Sequence, residues 1–172
     1  SEWHFFFSLD KQRLSAVADG LPAEDFKAIR FRVGLDKKTD GSDPQQWPAN
    51  HALHPDVCGL HWGWNSGYVF LAIEGLWEPS PGKNTGFSYH LAGAANTMIV
   101  ELPVKVSGSR ITTVKLSFDV STILRGGAVL EQSRSTHSRD GDSLATLLKD
   151  RVKTSFKVAG IQPDSFQKIA VD

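Results

Sequence analysis

The sequence predicts an all-β fold, an antiparallel β-sandwich of about seven or more strands with long irregular loops and one late α-helix. Three observations carry that expectation. Short runs rich in aromatic and β-branched residues recur along the chain, bounded by Gly, Pro, Ser and Asp. One of them, Lys27 to Leu35, alternates cleanly, with Ile29, Phe31 and Val33 on one face and Arg30 and Arg32 on the other. Only one stretch, Leu144 to Phe156, repeats apolar residues convincingly at helical spacing. With 172 residues, 40% of them hydrophobic, and with no internal repeat or linker, the chain reads as a single domain over residues 1–172.

In order, His4 to Leu9 is a short apolar run and reads as a first strand. Lys11 to Phe26 is polar and broken by Gly20 and Pro22, a loop. After the alternating strand, Asp36 to Leu60 shows neither a strand nor a helix pattern, and loops of that length are usually functional or disordered. Its Asp36, Asp40 and Asp43 do not follow the spacing of a calcium-binding loop, and two lysines sit among them, so the cluster reads as a solvated turn. Tyr68 to Glu74 is a buried strand ending at Gly75. Trp62 and Trp64 precede it, two residues apart, and in extended backbone they project to one face. Trp77 to Gly86 is a connection and Phe87 to Leu91 a further strand, closed by Gly93.

Thr97 to Val106 and Ile111 to Val120 flank Ser107-Gly108-Ser109 and read as a hairpin, with Pro103 marking an edge or a bulge. Ser121 is placed to cap one turn, Thr122 to Arg125. Asp142 or Ser143 caps the helix, which offers Leu144, Leu147, Leu148, Val152 and Phe156 to the core. Lys157 to Asp172 carries no strong signal.

Composition narrows function. Nineteen basic residues balance nineteen acidic ones, so no overall field argues for nucleic acid. The one cysteine, Cys58, rules out an internal disulfide and a cysteine-based zinc finger, and reads as a small buried thiol. No run approaches the roughly 18 apolar residues that cross a bilayer. The start at Ser1-Glu2-Trp3-His4, without Met, suits a mature chain whose signal peptide has been removed.

Nucleophilic and phosphate-binding signatures are missing: there is no G-x-S-x-G elbow, and Gly126-Gly127 lacks the P-loop lysine. Imidazoles are better represented. His51, His54 and His61, three of the six histidines, fall within eleven residues beside two of the five tryptophans. Imidazole suits copper, zinc, nickel and iron, although no H-E-x-x-H or H-x-H spacing singles out a site. A rival use of the aromatics is a carbohydrate-binding module that stacks sugars on Trp62, Trp64 and Trp77. A redox enzyme trails both, because no acid, base or substrate site is recognisable.

Several blocks together resemble a family. Phe31-Arg32-Val33-Gly34-Leu35 is followed by Asn50-His51 and His54-Pro55, then by Trp62-Gly63-Trp64-Asn65-Ser66-Gly67-Tyr68. Phe87-Ser88-Tyr89-His90-Leu91-Ala92-Gly93, Leu116-Ser117-Phe118-Asp119-Val120 and Thr136-His137-Ser138 come after in order. In this pattern, which covers roughly Lys27 to Phe156, the chain resembles the MbnP-like copper-binding proteins, and most of all the methanotroph surface proteins of the MopE/CorA branch.

The resemblance implies a non-catalytic, extracytoplasmic protein of copper acquisition or homeostasis, in the periplasm or at the outer cell surface. It implies one copper, Cu(I) in preference to Cu(II), held by histidines and by a tryptophan oxidised to kynurenine. The modifying partner would be a di-haem peroxidase of the MauG type. Carried over block by block, His90 and His137 are the first metal ligands, with His54 or His51 as a third. Trp62 and Trp64 are the candidates for oxidation, and the resemblance does not choose between them. The chain departs from one branch in having a single cysteine, and Ser88 stands two residues before His90 where some relatives would carry the modified tryptophan.

Overall fold

The computed structural model describes residues 3–63, 67–108, 111–125, 130–131, 133–138 and 141–163. Among these, eight strands form three sheets. Strand β1 (Asp25–Val33) pairs antiparallel with β5 (Met98–Ser107). Strands β2 (His61–Trp62), β3 (Gly67–Trp77), β4 (Thr85–Ala92) and β7 (Ser135–Thr136) lie in that order in a second sheet. Strands β6 (Thr112–Phe118) and β8 (Phe156–Pro163) form the third. The all-β expectation holds. Helix α4 (Ser143–Thr154) is the one long helix; α1 (Lys37–Asp40), α2 (Pro55–Cys58) and α3 (Val120–Ile123) are single turns.

The main core is what the alternating strands deliver. Met98, Val100, Leu102 and Val104 of β5 are buried while Ile99, Glu101, Pro103 and Lys105 between them are exposed. Tyr89 and Leu91 of β4, Ile123 of α3 and Leu148 and Val152 of α4 join Met98 in one buried cluster. Helix α4 is rotated relative to the expected face: Ala145, Leu148 and Val152 are buried, while Leu147 is 42% exposed. Phe156 leaves the helix and opens β8, stacking on Phe118. Asp142 is the cap, accepting the N–H of Ala145 at 3.0 Å.

A second, smaller core of Leu53, Cys58 and Tyr68 lies under the long loop, with Phe6, Trp47 and Phe70 against it. Gly34 is required here. Its φ is +112°, and a Cβ would meet the Phe70 ring at 2.7 Å. Cys58 is buried, as its composition suggested. The acidic cluster is a set of backbone caps: Asp36 caps α1, Asp43 caps the 3₁₀ turn Pro44–Gln46, and Asp40 accepts the N–H of Tyr68 at 2.8 Å. Hydrogen bonds to Thr39, above all, hold the Asp36 carboxyl below its usual value.

Four expectations about elements need correction. The β5–β6 hairpin does not form. Gly108 donates its N–H to the Glu24 carbonyl at 2.7 Å and continues the ladder toward β1, so β5 and β6 belong to different sheets. A Cβ there would collide with the Pro22 and Glu24 carbonyls, so only glycine fits so close to that segment. Pro103 does sit beside a bulge, at the register shift between Phe26 and Ala28. Among the described residues His4 to Leu9 forms no ladder and one bridge, Ser8 to Arg13, and Phe6 packs inward while Phe5 and Phe7 stay exposed. The turn after β6 is capped by Asp119, whose side chain accepts from Ser121 and Thr122, and it covers Val120–Ile123. The hydroxyls of Ser121 and Thr122 lead the causes that hold the Asp119 carboxyl at about 2. Finally, the unsignalled stretch after Lys157 supplies most of β8, paired to β6 from Phe156 to Pro163.

Candidate metal centre

Strand pairing brings the two best candidate ligands together. Short β7 runs parallel to β4, with Ser88 opposite Ser135 and Tyr89 opposite Thr136, so the next residues along each strand are His90 and His137. Ser138 locks that register: its hydroxyl donates to the His90 carbonyl at 2.7 Å and accepts the Ala92 N–H at 3.0 Å. Ser138 holds a left-handed φ of 54°, an uncommon conformation for a side-chain-bearing residue, and its N–H is taken by the Thr136 hydroxyl at 3.1 Å. Buried Thr136 in turn donates to the carboxylate of Asp142, the α4 cap. The Thr-His-Ser block thus anchors both residues that flank His137.

The imidazoles of His90 and His137 are stacked, with centroids 5.3 Å apart and planes at 17°. Trp62, on β2, completes a triangle: its indole lies 5.8 Å from His90 and 5.9 Å from His137. Antiparallel pairing of β2 with β3, Trp62 opposite Gly67, fixes its backbone. Trp62, His90 and His137 are therefore one cluster. Trp64 lies outside the described residues.

The hydrogen bonds of each ring decide which nitrogen is free. His90 Nε2 sits 2.7 Å from Glu74 Oε1 and 3.2 Å from Ser88 Oγ, while the hydroxyl of Ser88 donates to the same Glu74 oxygen at 3.1 Å. His90 and Ser88 in turn hold the Glu74 carboxyl below its usual range. Because a carboxylate only accepts, Nε2 carries the hydrogen and Nδ1 keeps its lone pair. That Nδ1 is buried and has no hydrogen-bond partner among the described residues. Serine and carboxylate meet the same ring nitrogen, so Ser88, His90 and Glu74 do not make a nucleophile–base–carboxylate relay, which needs one on each side of the ring. His137 Nδ1 lies 2.9 Å from the Thr136 carbonyl and donates to it, leaving Nε2 as the basic nitrogen.

The other candidates lie elsewhere. His51 stacks on Trp47 at 4.3 Å and meets His4 edge-on at 5.7 Å. Its Nδ1 accepts the Leu53 N–H at 3.2 Å, and burial, with the nearby His4 charge, lowers its pKa. His54 is the cap of α2, 8% exposed, its Nδ1 accepting the Asp56 N–H at 3.3 Å. His61 packs edge-on against Tyr68. Among the described residues, no three His, Cys, Asp or Glu side chains form a group able to hold a metal by themselves.

The chemistry of the donor set fits copper: two imidazoles with fixed tautomers, one lone pair already desolvated, beside an aromatic ring. Two contributors escaped the sequence reading. Glu74 was legible only as a charge inside an apolar strand, and Ser138 only as the last residue of the Thr-His-Ser block. No helix among the described residues is long and apolar enough to cross a membrane. Comparison with curated proteins and with solved structures finds no match. The family model MbnP, by contrast, matches residues 5–138, a span that contains Trp62, Glu74, His90 and His137, and the chain belongs to the copper-associated MbnP family.

Proposed function

We propose that this protein is a non-catalytic, extracytoplasmic copper-binding protein that serves copper acquisition or homeostasis. The observation that carries the reading is the convergence of Trp62, His90 and His137, with Nδ1 of His90 buried and unpartnered among the described residues. A buried lone pair without a partner is costly, and a metal is the partner that imidazole nitrogens commonly take. His90 Nδ1 and His137 Nε2 hold the ion; two nitrogens suit low-coordinate Cu(I).

Trp62 supplies the third contact as the residue oxidised to kynurenine. Two equivalents of hydrogen peroxide would supply the two oxygen atoms that cleave the indole C2–C3 bond and leave two waters; hydrolysis of the resulting N-formyl group by water then releases C2 as formate and frees an aryl amine beside a ketone. A di-haem peroxidase of the MauG type is the oxidising partner in this reading. The position two residues before His90 is Ser88, so the modified ring approaches from β2. Trp62 and Trp77 are both half-buried, Trp62 against the histidines and Trp77 against the main core, which favours a metal centre over a sugar-stacking platform.

Native mass spectrometry of the protein from its own host, followed by peptide mapping, tests this. One bound copper is expected, with Trp62 carrying the net loss of one carbon and gain of one oxygen that mark kynurenine. Failure to bind copper even when copper is offered overturns the proposal. Copper bound with Trp62 and Trp64 both intact leaves a histidine site and removes the peroxidase.

A further inference from the structure

We infer that Glu74, assisted by Ser88, is the positioning residue that presents Nδ1 of His90, and not Nε2, to copper. The inference rests on the copper reading above and adds to it the identity of the liganding atom. Three contacts converge on one carboxylate oxygen and one ring nitrogen: Glu74 Oε1 to His90 Nε2 at 2.7 Å, the Ser88 hydroxyl to Glu74 Oε1 at 3.1 Å, and Ser88 Oγ to Nε2 at 3.2 Å. Register explains why they meet. Glu74 lies opposite Ser88 across the β3–β4 ladder, and Ala72 lies opposite His90, so Glu74, Ser88 and His90 stand on one face at adjacent positions.

The consequence is electronic as well as geometric. A carboxylate at Nε2 fixes the tautomer, pins the ring, and raises the basicity of the opposite nitrogen. That opposite nitrogen is the buried Nδ1, unpartnered among the described residues, and the His137 ring is stacked alongside. A charged residue that closes the apolar run Tyr68 to Ile73 thereby acquires a reason to be there. Glu74 is itself largely exposed, with 60% of its side chain accessible, so its replacement does not open the core.

The test follows ring ¹⁵N resonances in the whole chain, without metal and after anaerobic addition of Cu(I), beside competition titrations for Cu(I). Without metal, the wild type should show the His90 proton on Nε2, protected from solvent exchange. Cu(I) should then shift Nδ1. Glu74→Ala should expose that proton to exchange and weaken Cu(I) binding about 10- to 100-fold. Glu74→Gln, whose amide oxygen still accepts from Nε2–H, should recover the tautomer and part of the affinity. A Cu(I)-induced shift at Nε2, or wild-type affinity in Glu74→Ala, overturns the inference while leaving the copper reading standing. If His90→Ala keeps full affinity and no His90 nitrogen shifts, the copper reading falls and takes this inference with it.

Discussion

Two places in this molecule put a pair of imidazoles against an indole, and they differ in what the ring nitrogens are doing. Around Trp62, the His90 and His137 rings each give one N–H to an oxygen, a carboxylate in one case and a backbone carbonyl in the other. That leaves a lone pair on each ring. Around Trp47, His51 spends its Nδ1 lone pair on the Leu53 N–H, and its remaining nitrogen carries the hydrogen in the neutral ring. Nearby His54 does the same with the Asp56 N–H and serves as a helix cap. The same residue types therefore keep a lone pair on each ring in one place and brace a loop in the other. Composition cannot separate these roles; the partner of the second ring nitrogen can.

The sharpest way to break this contrast is to substitute in both clusters and titrate copper. His90→Ala and His137→Ala should each weaken Cu(I) binding by more than the roughly 10–100-fold that supporting residues command. His51→Asn, which keeps an acceptor for the Leu53 N–H, should leave the affinity unchanged. Equal losses in the two clusters would erase the distinction.

The next effect is on stability and is confined to the loop. The Tyr68 hydroxyl donates to the Leu53 carbonyl at 2.9 Å, between His51 and His54 in sequence, and Tyr68 is 2% exposed. Burial is the first cause that pushes its phenol up to about 12, so the O–H stays a donor at any ordinary pH. Tyr68→Phe strands a buried acceptor and should cost about 1–3 kcal/mol in denaturant unfolding, with copper binding retained. Smaller again is Asp142→Ala. It removes the α4 cap, for about 1 kcal/mol, and also the anchor of Thr136. If the Thr-His-Ser block positions His137 as described, this substitution should weaken copper binding as well as stability, and Tyr68→Phe should not.

How far this was legible in the sequence differs between the clusters. β1, with its clean alternation, and β3, with its dense apolar run ending at Gly75, could be read because period and composition encode burial directly. Partner choice could not be read so. β5 and β6 look like a hairpin because they flank Ser-Gly-Ser, and only the close approach of Gly108 to Pro22 and Glu24 shows that the chain leaves for another sheet. β8 was hidden because five of the eight positions from Phe156 to Pro163 are exposed and none is fully buried. The best site residues, His90 and His137, came from motif blocks. Their meeting came from a two-residue parallel pairing that no local pattern announces. Glu74 lies 16 residues from His90, so its role depends on register across β3 and β4.

The finest test of the contrast is the pH dependence of stability in the His51 cluster. The folded-state pKa of His51 is lowered from 6.5, first by desolvation and second by the charge of His4. Between the folded and unfolded values, the unfolded chain binds a proton that the folded chain does not, so stability rises with pH across that window. The contribution is complete above about 6.5 and is lost as pH falls toward the folded value; below that both states are protonated and the deficit is constant. In thermal melts of the metal-free protein from about pH 7.5 to about pH 5, the wild type should lose stability in part through this group. His51→Asn, with no proton to gain, should flatten that part of the profile, and His4→Gln should flatten it less, since it removes only the second cause. An unchanged profile in His51→Asn would move the titration elsewhere and leave the loop brace without its electrostatic signature.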